Sequence, residues 1–462
     1  MLFPTYIFVF LFAPVAIGGF WLIKHRTARL AWLALMSYIF YGYWEWAFTS
    51  LLIVSTIINY FSGLKLARIS NDRARKAWFC LAMIVNLGML GFFKYYMLFA
   101  RTIDSIFGWT NAGQGLPNWN IILPIGISFF TFQAMSYTID VYRRDIKPTK
   151  DFIEFAAYIA LFPQLIAGPI VRYREIMETL KNLPRKFSSV NLNLGLFYFS
   201  TGLIRKVLIA DQIAAIIDPM FALSGTLQPL EAWLMMIGYS FQLYMDFSGY
   251  SLMAIGLGHM LGFKFPQNFN NPYTAVSISD FWRRWHMTLS RWLRDYLYIP
   301  LGGRDNRYVA LGVTMLLGGL WHGAEWTFMV WGLYHGILLQ LHHHLKRYSW
   351  IPRNVIWAKA GTFIVATVGW VFFRPPTFAE SFGILGKMFD IPGLFAQVSI
   401  NYTLVFLILV GFAWEYLIPN EVVYIREKKA KPLVAWAIVL GLLMALCVLH
   451  FSQPAPFIYY QF

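Results

Sequence analysis

The strongest constraint in this sequence is the recurrence of apolar stretches of about twenty residues, each closed by a short loop. A hydrocarbon core of roughly 30 Å is crossed by about 20 residues of helix. Stretches near 4–23, 30–47, 48–64, 77–100, 121–140, 192–217, 231–257, 354–373, 402–420 and 433–452 meet that length, and 309–345 does so as two short arms. Only 13% of the residues are charged and 58% are hydrophobic, against about 25% charged in an average soluble protein. A water-soluble enzyme is thereby excluded. A net charge of +16 would suggest nucleic acid for a soluble chain. Here the bases sit in loops between apolar runs, which is membrane topology and not a nucleic-acid surface.

The loops carry the orientation. Basic clusters at Lys24–Arg29, Lys65–Lys76, Arg143–Lys150, Arg172–Lys186, Lys264–Arg307, Lys346–Arg353 and Arg426–Lys431 all fall on one face when crossings are counted, and by the positive-inside rule that face is cytoplasmic. Both termini are then expected on the extracytoplasmic side. The first stretch has no basic region before it and no small-residue cleavage site after it, so it reads as a retained span and not a signal peptide. Asp151–Ile170 is apolar but broken by Pro163, Gly168 and Pro169, which predicts a re-entrant hairpin, since irregular backbone at membrane depth survives only against protein or water. Residues 262–307 are too charged to span, and 375–399 hold too many helix breakers. Cys80 and Cys447 lie inside apolar segments and imply neither a disulfide framework nor a metal site. The expected fold is all-α: one polytopic membrane domain over 1–462, with about 10–12 transmembrane helices plus re-entrant and interfacial helices. A cytoplasmic amphipathic or re-entrant region is expected at 258–308, and an extracytoplasmic aromatic tail at 453–462.

Polar residues in unexpected places mark candidate chemistry. From Ser277 to Ile299 the sequence projects onto one helix, with Ser277 and Asp280 as a possible capping box. Ile278, Phe281, Trp282, Trp285, Leu289, Trp292, Leu293 and Tyr296 form an apolar face, with Arg283, Arg284, Arg291 and Arg294 opposite and His286 at the edge between them. Such a helix is either a surface anchor with snorkelling arginines or an attractor for an anionic cytosolic substrate. In the run Leu316–His344, His322 and Glu325 interrupt an apolar hairpin. An ionisable residue at membrane depth is a functional candidate by default, the alternative being a histidine satisfied by a backbone carbonyl. His335 would lie about 140° from His322 on a continuous helix, so no metal site is predicted there, and His342–His344 reads as an interfacial cluster. Asp246, buried in QLYMDFSGYS, either bonds a neighbouring helix or shapes a cavity. The closing PAPFIYYQF is an aromatic belt or a segment seeking burial.

The order YMDFSGYS, FPQNFNNPY, SISDFWRRWHMTLSRWLRDYLYIPLGG and GLWHGAEWTFMVWGLYHG, with the opening MLFPTYIFVFLFAPV and the closing FIYYQF, resembles the membrane-bound O-acyltransferase family. The likeness is to its bacterial branch, which acetylates alginate, peptidoglycan and related envelope polymers. The resemblance implies a fold around a central tunnel in the inner membrane, where cytosolic acetyl-CoA meets an acceptor from the other side. It maps the family's near-invariant histidine to His322 and its second common polar position to His286. It implies a base and an assisting group respectively, with Arg283, Arg284 and Arg291 attracting the CoA phosphates and Asp246 near the cavity. It also implies an acyl-carrying tail tyrosine at Tyr459, with Tyr460 as its neighbour, and a periplasmic SGNH-type acetyltransferase as partner. No bound cofactor, metal or nucleic acid is implied. The tail after Phe451 reaches roughly 33 Å if extended, enough to enter such a tunnel. The rival readings are a proton-coupled transporter or flippase of an envelope precursor and a silent docking scaffold.

Overall fold

The computed structural model describes all residues except 109–118, 120, 348–353, 396–397, 427–433 and 452–462. The predicted tail at 453–462, with Tyr459 and Tyr460, lies outside the described residues. Every regular element that is described is helical, so the all-α expectation holds. Among the described residues, Trp46–Arg68, Asp72–Phe107 and Tyr402–Ile425 are long and apolar enough to cross a membrane, and Phe8–Leu22, Val355–Trp370 and Ile438–Leu449 are shorter apolar helices. The chain forms two compact units, Met1–Gly195 with Leu257–Phe265, and Leu196–Gly256 with Pro266–Phe462.

In the first unit a π-helical turn at Phe8–Phe12 leads into α1 (Ala13–Leu22), followed by α2 (Arg26–Gly42), α3 (Thr49–Arg68), α4 (Asp72–Phe107), α5 (Ile127–Arg143), α6 (Phe152–Ala160), α7 (Phe162–Leu165) and α8 (Tyr173–Lys181). The predicted hairpin at 151–170 is the pair α6 and α7. Nine residues of helix rise only about 14 Å, too short to cross, and the stretch from Phe155 to Val171 is buried throughout. The helix breaks at Leu161 ahead of Pro163, and the Phe162 N–H donates instead to Ser37 Oγ at 3.0 Å. Arg26 ties the start of the hairpin down, pairing with Asp151 at 2.9 Å and with Glu154. Tyr173 donates to the same Glu154 at 2.5 Å. The backbone groups freed by the break thus find partners within protein, as membrane depth demands.

In the second unit α9 (Ser189–Ile204) passes through a π-helical turn at Arg205–Ala210 into α10 (Asp211–Ala222). Then come α11 (Pro229–Met260), α12 (Ile278–Arg284), α13 (Met287–Leu293), α14 (Arg307–His322), α15 (Trp326–Arg347), α16 (Val355–Trp370), α17 (Phe378–Met388), α18 (Tyr402–Leu417), α19 (Glu421–Arg426) and α20 (Val434–Leu449). Packing of α14 on α15 is the closest in the unit because glycines meet there. A Cβ on Gly332 would sit 2.2 Å from Met315 O, and one on Gly319 2.2 Å from Phe328 O. Backbones approach this closely only where side chains are absent.

One expectation is corrected here. Ser277–Ile299 is not one continuous amphipathic helix: it breaks at Trp285–His286, and a π-helical turn at Arg294–Tyr298 follows α13. The predicted N-cap is present, Ser277 Oγ accepting from the Asp280 N–H at 3.1 Å. The predicted apolar side survives the break, since Phe281, Trp285, Leu289, Trp292 and Tyr296 are all buried.

Candidate active site

The break that periodicity did not foresee creates the site. His286 takes up a left-handed backbone, φ 41° and ψ 53°, which is uncommon for any residue but glycine. Its neighbours' hydrogen bonds explain why. Met287 donates its N–H to Asn268 O at 2.8 Å, and Arg284 O accepts from the Asn270 N–H at 2.9 Å. Groups that a continuous helix would bond internally are bonded to the extended strip 268–270 instead. Tertiary pairing here overrides local helical propensity.

The strip is itself fixed from the other side. Asn271 Nδ2 donates to Glu415 O at 2.8 Å and Tyr273 N–H to Glu415 Oε2 at 3.0 Å. Asn420 accepts from Gln267 Nε2 at 2.8 Å and donates to Phe269 O at 3.2 Å. The NFNNPY run is therefore held between the end of α18 and the kink.

His286 becomes fully buried, not interfacial. Its ring stands edge-on to Phe247 at 4.7 Å between centroids, and its centroid is 6.1 Å from that of His322. His286 lies between two seven-residue helices and not on a spanning one. Burial pushes its imidazole pKa below the ordinary histidine range, so it is neutral near pH 7.

His322 is the last residue of α14, where the chain leaves the helix through extended Gly323 (φ −153°) and turns into α15. It is 3% exposed, packed against Trp321 at 5.0 Å, Trp331 at 5.2 Å and Phe373 at 5.3 Å. Sixteen residues of helix carry it roughly 24 Å from the basic start of α14. The antiparallel return brings the two other ends of the hairpin together, with Gln340 Nε2 donating to Tyr308 O at 3.0 Å. The turn also changes the relation of the two histidines estimated from a continuous helix: His322 and His335 lie against the same indole, Trp331, at 5.2 and 4.9 Å. His335 is fully buried among Phe281, Trp282, Trp331 and Tyr334. The arrangement offers two imidazoles in a dry, aromatic setting, where a proton can be taken and a developing charge is felt strongly.

The arginines divide. Arg283 has a side chain 71% exposed, and Arg294 is also exposed. Arg284 is committed inward, its Nε 3.0 Å from Asp280 Oδ2 and its Nη1 reaching Asn270 O and Thr274 Oγ1. Arg291 is partly buried on α13.

Asp246 is 2% exposed and lies in an ion pair, not in a neutral hydrogen bond. Lys206 Nζ sits 2.7 Å from Asp246 Oδ1 and 2.6 Å from Asp211 Oδ1. Beside it Arg205 spans Ser248 Oγ at 2.9 Å and Glu421 Oε1 at 2.6 Å. Sequence reasoning passed over Arg205 and Lys206, although two adjacent bases in the middle of an apolar run were a legible signal. It also passed over Asn268, for which no periodic signal existed.

Comparison with known proteins agrees with this geometry. The profile of the membrane-bound O-acyltransferase family matches residues 141–374, which include Asp246, Asn268, His286 and His322. The chain is 42% identical over 398 residues to the probable alginate O-acetylase AlgI of Azotobacter vinelandii, covering 84% of this chain and 77% of that protein. It is 38% identical over 432 residues to the peptidoglycan O-acetyltransferase of Helicobacter pylori, covering 85% and 81%. It is 30% identical over 281 residues to the teichoic acid D-alanyltransferase of Bacillus subtilis, covering 57% and 71%. With the family profile spanning half the chain and such relatives spanning most of it, this multi-pass membrane protein belongs to the membrane-bound O-acyltransferase family.

Proposed function

We propose that the protein is a membrane O-acetyltransferase that takes acetyl from cytosolic acetyl-CoA and delivers it for O-acetylation of a cell-envelope polysaccharide such as alginate or peptidoglycan. The observation that carries this reading is the buried pair His286 and His322, with centroids 6.1 Å apart inside an aromatic shell. The O-acetyltransferase names of relatives similar over most of the chain support the acyl group and the class of acceptor.

In this reading His322 is the base. It accepts the acceptor hydroxyl's proton as the new C–O ester bond forms, the thioester C–S bond breaks, and the proton leaves with the CoA thiol. His286 assists by orienting the thioester or passing the proton. Arg283 and Arg291 attract the CoA phosphates, and Arg284 shapes their platform through Asp280. Asp246 supports the cavity wall through Lys206. The acceptor in this scheme is Tyr459, or its neighbour Tyr460, from which acetyl passes to a periplasmic SGNH-type acetyltransferase. Both termini face the extracytoplasmic side of the inner membrane.

The test is intact-mass and peptide mapping of purified protein after incubation with labelled acetyl-CoA, for wild type, His322→Ala and Tyr459→Phe. Label on the tail peptide of wild type and on neither variant is the expected result. Acetylation supported with a partner but with no label on the chain would replace the relay by direct transfer. Acetylation unaffected by His322→Ala would remove the base from the scheme.

A further inference from the structure

The side chain of Asn268 makes a set of contacts that fixes more than the fold. Its Oδ1 accepts from the Thr288 backbone N–H at 3.2 Å and from Thr288 Oγ1 at 2.8 Å, and it lies 3.1 Å from His286 Nδ1. Its Nδ2 donates to Ser251 Oγ at 3.0 Å. Which amide atom faces the histidine is decided by the backbone: an N–H can only donate, so the atom it meets must be the oxygen. An oxygen cannot donate to Nδ1, so Nδ1 carries the hydrogen. In a neutral imidazole the lone pair then belongs to Nε2. That nitrogen is buried and has no hydrogen-bond partner among the described residues.

We propose that Asn268 is a positioning residue for the reaction: it locks His286 as the Nδ1–H tautomer and holds the left-handed kink, so that the Nε2 lone pair is the atom offered to substrate. Two contacts from the same residue act together. The Asn268 carbonyl takes Met287 N–H at 2.8 Å and fixes the backbone at the kink, while the side chain fixes the ring. A carboxylate or carbonyl behind an imidazole plays the same part in metal and hydrolase sites, where its removal changes activity about 10–100-fold. The inference rests on the reading of His286 as a reaction group.

The test uses full-length protein in lipid nanodiscs, with ring-¹⁵N histidine and His286→Gln to assign the His286 signals. Wild type is expected to show a protonated Nδ1 and an unprotonated Nε2. Asn268→Ala should mix the tautomers and lower kcat about 10–100-fold with KM for acetyl-CoA unchanged. Asn268→Asp keeps an acceptor at Nδ1, so the tautomer should survive. Its added negative charge beside the ring should raise the pH at which His286 is protonated and move the acid limb of the kcat profile to higher pH. Wild-type ring signals in Asn268→Ala would overturn the proposal, as would equal loss in both variants with no change of pH profile. The reading beneath it fails separately: full turnover in His286→Gln would remove His286 from the reaction while the tautomer signals stayed as described.

Discussion

Two buried polar centres in the second unit solve the same problem in opposite ways. Around Lys206 charge is matched with charge: one ammonium touches two carboxylates, and Arg205 binds Glu421 alongside. Around His322 there is no ion pair among the described contacts, only rings, and His286 keeps a nitrogen unused. Buried polar groups are nearly always satisfied, and one left open calls for a purpose. The ionic centre therefore reads as structure and the neutral one as chemistry, though both lie in the most buried parts of the unit and both carry residues that sequence alone marks as costly. What distinguishes them is unspent hydrogen-bonding capacity, which no hydropathy profile registers.

That contrast can be broken most decisively at His322. His322→Ala is expected to lower acetyl transfer in membrane vesicles about 10²–10⁴-fold, the usual range for a general base, with little change in thermal unfolding. A large loss of stability together with the activity would move His322 to the structural side. Lys206→Met should do the reverse. Leaving Asp211 and Asp246 buried without their cation is expected to destabilise by about 3–5 kcal/mol, seen as a lowered melting temperature, and Lys206→Met with Asp211→Leu and Asp246→Leu should regain much of it. A Lys206→Met protein of wild-type stability would show that the ion pairs do not hold the unit together.

The comparison is sharpened by changes outside either centre. Gly332→Ala places a methyl 2.2 Å from Met315 O. It should pry α14 from α15 at a cost of about 1–3 kcal/mol, and it should lower kcat by displacing His322, measurable by unfolding and turnover on one preparation. The smallest effect is expected at the surface. Arg283→Ala should raise KM for acetyl-CoA a few-fold, less so at high salt, and leave stability unchanged. Arg284→Ala, which removes contacts to Asp280, Asn270 and Thr274, should instead show in stability and kcat.

The parts of this molecule legible in its sequence are those set by local rules. Apolar length gave the helices, Pro163 and Gly168 gave the broken hairpin at 151–170, and His322 stood out because a titratable group interrupted an apolar run. The kink at His286 was not legible. Residues 277–299 satisfy helical periodicity well, and what breaks them is an extended strip, 268–270, that competes for their backbone groups from outside the window any periodicity can see. For Asp246 the sequence announced a buried charge but not its partner, because pairing with Lys206 depends on how α10 and α11 meet. The tail tyrosines, Tyr459 and Tyr460, lie outside the described residues and stand on resemblance.

The π-helical turn at Arg205–Ala210 carries a consequence for how this chain tolerates change. A wider turn holds one residue more than the α-helix around it would. Removing any one residue there would let the helix run on without interruption, and everything after it would rotate by about 100° about the axis. Asp211 would swing away from Lys206, and Ile213 and Ile217, now buried, would turn toward whatever surrounds the unit. In this stretch a deletion is mechanically a twist. Substitutions along α10 can be absorbed one at a time, but its length upstream is set as firmly as a gear tooth.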